Sequence, residues 1–163
     1  MKNWLYVLLV SVFGFLNSNT AWCQNAVELG DLYEQLSGES EEGLALLLEK
    51  IGEPDNNRER ASKGVLLMKF AAFQSGPGDK LSTFKEGHTL LENAISKEPE
   101  NSEYLFFRLL IQENAPRILG YSDNIEADAS KIRESYNGLS QELKNAILAY
   151  SKTSKALNSE DLD

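Results

Sequence analysis

Tyr104-Leu105-Phe106-Phe107-Arg108-Leu109-Leu110-Ile111 is the stretch on which the fold turns, because it is apolar on most sides yet carries a guanidinium in its middle. Nowhere does the chain show sustained strand-type alternation, whereas apolar residues recur at helical spacing almost throughout. The stretch is therefore read as a helix over about 102–112, the fifth of seven. A helix apolar nearly all round is buried between others. The third helix, about 57–74, has the same character in Val65-Leu66-Leu67-Met68-Lys69-Phe70-Ala71-Ala72-Phe73. These two helices predict the centre of an all-α fold.

The remaining elements are amphipathic. A first helix over about 26–37 puts Leu29, Leu32, Tyr33 and Leu36 on one face, with Gly38 in the stop position that favours a left-handed backbone. A second, about 41–51, follows Ser40 as cap and ends at Gly52 and Pro54. Ser75-Gly76-Pro77-Gly78-Asp79 reads as a turn, and a fourth helix then runs to about Lys97 with Leu81, Phe84, Leu91 and Ile95 inward. After the interruptions at Pro116 and Gly120, a sixth helix over about 124–136 shows Ile125, Ala129, Ile132 and Tyr136 on one stripe. A seventh, about 140–157, places Leu143, Ala146, Ile147, Tyr150 and Leu157 inward as a capping helix. Residues 158–163 are an acidic tail expected to fray.

At the N-terminus, Met1-Lys2-Asn3 precedes an apolar run from Trp4 to Leu16, followed by the polar Asn17-Ser18-Asn19-Thr20 and Ala21-Trp22-Cys23-Gln24. That is the order of a signal peptide. As a helix the apolar run would reach about 20 Å, short of the ~30 Å hydrocarbon core. The expected cut lies between Cys23 and Gln24, because Ala21 and Cys23 supply the small side chains that the peptidase needs. The competing reading retains Cys23 as a lipidated residue, and bulky Trp22 argues against it. Residues 24–157 of the 163-residue chain then form a single domain, exported to the periplasm or beyond, without a cysteine and without membrane attachment. Losing Lys2 moves the formal charge from −9 to −10, and so acidic a surface argues against nucleic acid as a partner.

An internal repeat supplies the family reading. Glu42-Gly43-Leu44-Ala45-Leu46-Leu47 and Glu86-Gly87-His88-Thr89-Leu90-Leu91 agree at Glu, Gly, Leu and Leu. Ile51 then matches Ile95, and Glu53-Pro54-Asp55-Asn56 matches Glu98-Pro99-Glu100-Asn101 after a one-residue gap. An offset near 44 residues lies in the range of stacked helical hairpins. Over about 41–112 the chain resembles tetratricopeptide (TPR) repeats: Gly87, Leu91, Ala94 and Pro99 have the spacing of the small, large, Ala and Pro positions of that family's second helix. The aromatic, Leu-Gly and Tyr pattern of the family's first helix is missing. The resemblance implies antiparallel hairpins stacked in an array, and another protein or peptide as partner.

No catalytic, cofactor-binding or metal-ligating set is read in the sequence. His88, the single histidine, is assigned a structural place between Phe84 and Leu91, with Glu92 one turn on. Arg108 needs a carboxylate, and Glu92 or Glu113 are the expected partners. Lys69 raises the same question with an easier route to water. Asp123, at the head of an acidic cluster, is read as the cap of the sixth helix rather than as a calcium ligand. Tyr104, Phe106, Phe107, Tyr121 and Tyr136 are candidates for a peptide groove, though aromatics at this spacing more often form core. The alternative to an interaction module is a small-ligand carrier or enzyme with an interior site near His88 and Arg108.

Overall fold

Ser40, Asn56, Asn101 and Ser140 each stand one residue before a helix, and each side chain accepts a backbone N–H from the helix's first turn, so four starts are written directly in the sequence. The computed structural model describes residues 28–38 and 40–162; the leader and the Cys23/Gln24 junction lie outside the described residues. Among those residues it holds seven α-helices and no strand: α1 (Leu29–Ser37), α2 (Glu41–Ile51), α3 (Asn57–Phe70), α4 (Pro77–Lys97), α5 (Ser102–Asn114), α6 (Ile125–Ser135) and α7 (Gln141–Ser151). The all-α class is as read.

Sequence neighbours pack as pairs. α3 lies along α4 and α5 along α6; α3 also touches α2 and α5, and α1 rests on α7 as well as on α2 and α3. α5 is the most buried element, with every residue from Tyr104 to Gln112 in the interior. α3 is two-sided instead: Ala61, Val65, Leu66 and Met68 are buried, while Leu67 and Phe70 are only partly so.

Several boundaries differ from the sequence reading for local reasons. α3 tightens into a 3-10 turn at Ala71–Phe73. α4 begins inside the expected turn, at Pro77, whose missing N–H and fixed φ suit a first helical position. Gly38 ends α1 in an extended conformation, not a left-handed one, whereas Gly52 takes φ +56° after α2. Asp123 does not cap α6. Asn124 stands there without a side-chain cap, tied instead to Gln112, whose amide donates to Oδ1 at 3.4 Å and whose Oε1 accepts the Asn124 N–H at 3.3 Å.

The C-terminal segment departs most. α7 stops at Ser151, and the chain then turns so that Leu157 and Leu162 both enter the core at 0% and 5% exposure. Through Leu162 the tail is folded rather than frayed.

The α3/α4 pair is set by two glycines. A methyl built on Gly64 would stand 2.8 Å from the Gly87 carbonyl oxygen, and one on Gly87 would stand 2.5 Å from the Gly64 carbonyl oxygen. The obstacles are backbone, so no rotamer change relieves them. Gly87→Val is accordingly expected to destabilise by about 1–3 kcal/mol, the cost of overpacking, despite a better helix propensity. Gly78→Ala, in the same helix with open space around the new methyl, is the control and should be neutral or slightly stabilising. Urea unfolding of both variants measures the difference.

Candidate functional site

The ends of five helices meet around an apolar groove of about 1170 Å³. Leu36 to Gly38 close α1 on one side, Met68 to Phe73 bring the end of α3, and Leu110, Ile111 and Asn114 the end of α5. Ala149, Tyr150 and Thr153 contribute from α7. The fifth contribution is the start of α4, with Pro77, Lys80, Leu81 and Phe84; the segment after α5 adds Ala115, Pro116, Ile118 and Leu119. Two apolar side chains at this groove project outward, Leu81 at 41% and Ile118 at 93% exposure. Neither serves the core. Leu81 is therefore not the inward residue that its spacing suggests.

The aromatics of the groove are Phe73, Phe84 and Tyr150. Tyr104, Phe106 and Phe107 are core residues, and neither Tyr121 nor Tyr136 lines it. Tyr121 packs against α4 instead, where its ring meets Phe84 edge-on at 6.0 Å and His88 edge-on at 4.7 Å. This cluster fixes the 115–124 segment against α4, and His88 is partly buried in it.

Beneath that segment lies a chain of hydrogen bonds. Arg108 donates through Nε and Nη2 to Asp128 at 2.7 Å each and through Nη1 to Glu92 at 3.0 Å; Glu92 in turn accepts the Tyr121 hydroxyl at 2.6 Å. Asp128 is 1% exposed and Arg108 9%. Burial by itself would lower the Arg108 pKa, yet the bonds and charges of Asp128 and Glu92 outweigh it and raise the value further. Burial first, and then the bond to Glu92, push the Tyr121 phenol up as well. A bidentate guanidinium whose remaining edge is also taken is a tie between α4, α5 and α6.

The expected partner Glu113 is not in this network. It accepts the Tyr150 and Ser154 hydroxyls at 2.7 Å each and the N–H groups of Lys155 and Ala156 at 2.7 and 3.1 Å. These bonds give the Lys155 and Ala156 N–H groups, beyond the end of α7 at Ser151, a partner outside that helix. Burial alone would raise the Glu113 pKa, but the four hydrogen bonds together hold it below the ordinary carboxylate range. A depressed folded pKa contributes stability above the unfolded value, ~4.3, and loses it as pH falls through the folded one. Glu113→Gln is therefore expected to be less stable than the parent by on the order of 1 kcal/mol at neutral pH. The gap should close as the solution is acidified below pH ~4.3, read from urea midpoints across that range.

Lys69 donates to the Leu36 carbonyl and, at 2.9 Å, to the Gly38 carbonyl, so it serves the end of α1 rather than escaping to water. Among the described residues no cluster of His, Cys, Asp and Glu is placed to hold a metal ion, and no helix is long and apolar enough to cross a membrane. His88 and Arg108 do not line the groove. Two of its features, Ile118 and Phe73, do not stand out as site residues in the sequence. A large apolar side chain in the short interval between Pro116 and Gly120 is the signal that was there to find. No family model matches the chain, and no curated protein or solved structure does either.

Proposed function

We propose that the protein is an exported helical-repeat module of TPR-like kind, a binding accessory rather than an enzyme, which takes an apolar segment of another protein into the groove at the helix ends. The groove carries this reading: it is larger than the roughly 300–1,000 Å³ of small-molecule sites, and Ile118 projects beyond it at 93% exposure. Only a partner that extends past the groove would cover that side chain. The 44-residue repeat and the pairing of α3 with α4 and α5 with α6 support the hairpin array. Export rests on the N-terminal leader pattern.

Capture from the envelope fraction of the exporting cell tests this reading. The parent protein should retain a partner that Ile118→Glu loses. Leu46→Glu, at a 64% exposed leucine of α2 away from the groove, should keep it. Equal capture by all three, with folding matched by dichroism, would remove the groove from the account.

A further inference from the structure

The geometry points to a partner whose apolar side chains are flanked by carboxylates, an acidic amphipathic segment, with its acids on the wall formed by the start of α4 and residues 116–119. This inference rests on the groove being the binding face. It comes from the distribution of charge on that wall. Lys80 lies in the first turn of α4 and lines the groove; its ammonium gives one hydrogen bond, to the Ala72 carbonyl at 2.7 Å, and takes part in no ion pair among the described residues. Arg117 stands between Pro116 and Ile118, both in the lining, is exposed, and makes no ion pair among the described residues. The edge-on contact of Phe84 with Tyr121 joins the two elements into one wall, because Phe84 is one turn beyond Lys80 and Tyr121 is four residues beyond Arg117.

The positive end of the 21-residue α4 does not add to this polarity: its N-cap, Gly76, supplies no side-chain acceptor, but Asp79 places a carboxylate in the first turn. The groove lining includes no carboxylate among the described residues, although 25 of the 163 residues of the chain are acidic. The other helices present their C-terminal ends, and the ammonium groups of Lys69 and Lys80 already answer carbonyls there. The cationic side chains of this wall that take part in no ion pair among the described residues, Lys80 and Arg117, stand beside two outward apolar residues, Leu81 and Ile118. An apolar residue with a neighbouring carboxylate matches both. The overall charge of −9 acts over longer range and is screened beyond a Debye length of about 8–10 Å at moderate salt, which leaves the local pairing to decide.

The overall charge and the local wall make opposite forecasts, so a pair of probes separates them. Two synthetic amphipathic helices of about five turns share a leucine face spaced i, i+3, i+4 and i+7 and differ only in bearing glutamate or lysine beside it. Each is titrated against the whole protein by fluorescence anisotropy at low and at high salt. The glutamate peptide should bind about tenfold tighter at low salt, the margin shrinking to about twofold at high salt, as expected of partly exposed charge pairs. Lys80→Glu combined with Arg117→Glu should reverse the order, and Ile118→Glu should weaken both peptides. These are exposed positions, so dichroism will confirm an unchanged fold. Equal or tighter binding of the lysine peptide overturns the inference, as does an order that the charge reversals leave unchanged. If neither peptide binds while cellular capture still depends on Ile118, the acidic character falls and the groove reading stands. Displacement of both peptides by oleate, or tighter binding to phosphatidylglycerol vesicles, assigns the wall to a lipid and overturns it as well.

Discussion

Asp128→Ala is expected to destabilise the protein by about 3–5 kcal/mol, because it leaves the Arg108 charge buried and without its principal partner. Arg108 is 9% exposed and directs two of its three guanidinium nitrogens at this one carboxylate. Glu92 remains but reaches only Nη1, and its own side chain is 32% exposed. Water cannot readily replace the lost oxygens at a position where Asp128 was 1% exposed. A second variant distinguishes an unpaired charge from a lost contact. Replacing both members with apolar residues of similar volume, Arg108→Met with Asp128→Leu, should cost less than Asp128→Ala alone, since the buried charge has gone with its partner. Urea denaturation of the parent and both variants measures this. A double variant as unstable as the single one would mean that shape, not charge, dominates the site.

Phe107→Ala is expected to fall in the same range, about 3–5 kcal/mol, through transfer and cavity terms. Phe107 is fully buried, and its ring sits 6.4 Å from that of Tyr33, so the loss includes a contact between α5 and α1. Tyr33 is itself fixed from outside the pair, donating to Glu103 at 2.8 Å, a carboxylate that also accepts from Arg58 at 2.9 and 3.0 Å. It therefore cannot follow a shrinking neighbour, and a cavity that cannot collapse lies at the costly end. Thermal unfolding should show the loss directly. Leu67→Ala, a residue only half-buried on α3, should cost clearly less than Leu66→Ala, whose side chain is 0% exposed.

That last contrast shows where the sequence was informative and where it was not. Helix identity came through because apolar spacing and capping residues are local signals: Ser40 and Asn101 place α2 and α5 to the residue. Which side of α3 faces inward did not, since the run Val65 to Phe70, apolar but for Lys69, has no polar face to orient it. The burial order was decided by Gly64, through the close approach to Gly87 that a methyl would block. Arg108 announced its need for a carboxylate, but Asp128 was concealed among the acids at the start of α6. The register held the clue, because Ile125, Asp128 and Ile132 are spaced three and four apart and share a face. Glu113 was expected as an ion-pair partner and instead holds backbone N–H groups, a role no side-chain pattern encodes. The groove was the least legible feature. It is assembled from five helix ends, and its outward Ile118 reads in sequence only as one more apolar residue in a loop.

The contact of α1 with α7 gives the molecule a different mechanical character from an open row of repeats. In an open row each unit touches only its neighbours, so the end units can melt first and the row can be lengthened by adding copies. Here the first described helix rests on the last, and Glu113 and Leu162 fasten the chain that follows it. Among the described residues, releasing either α1 or α7 opens the contact that the other depends on.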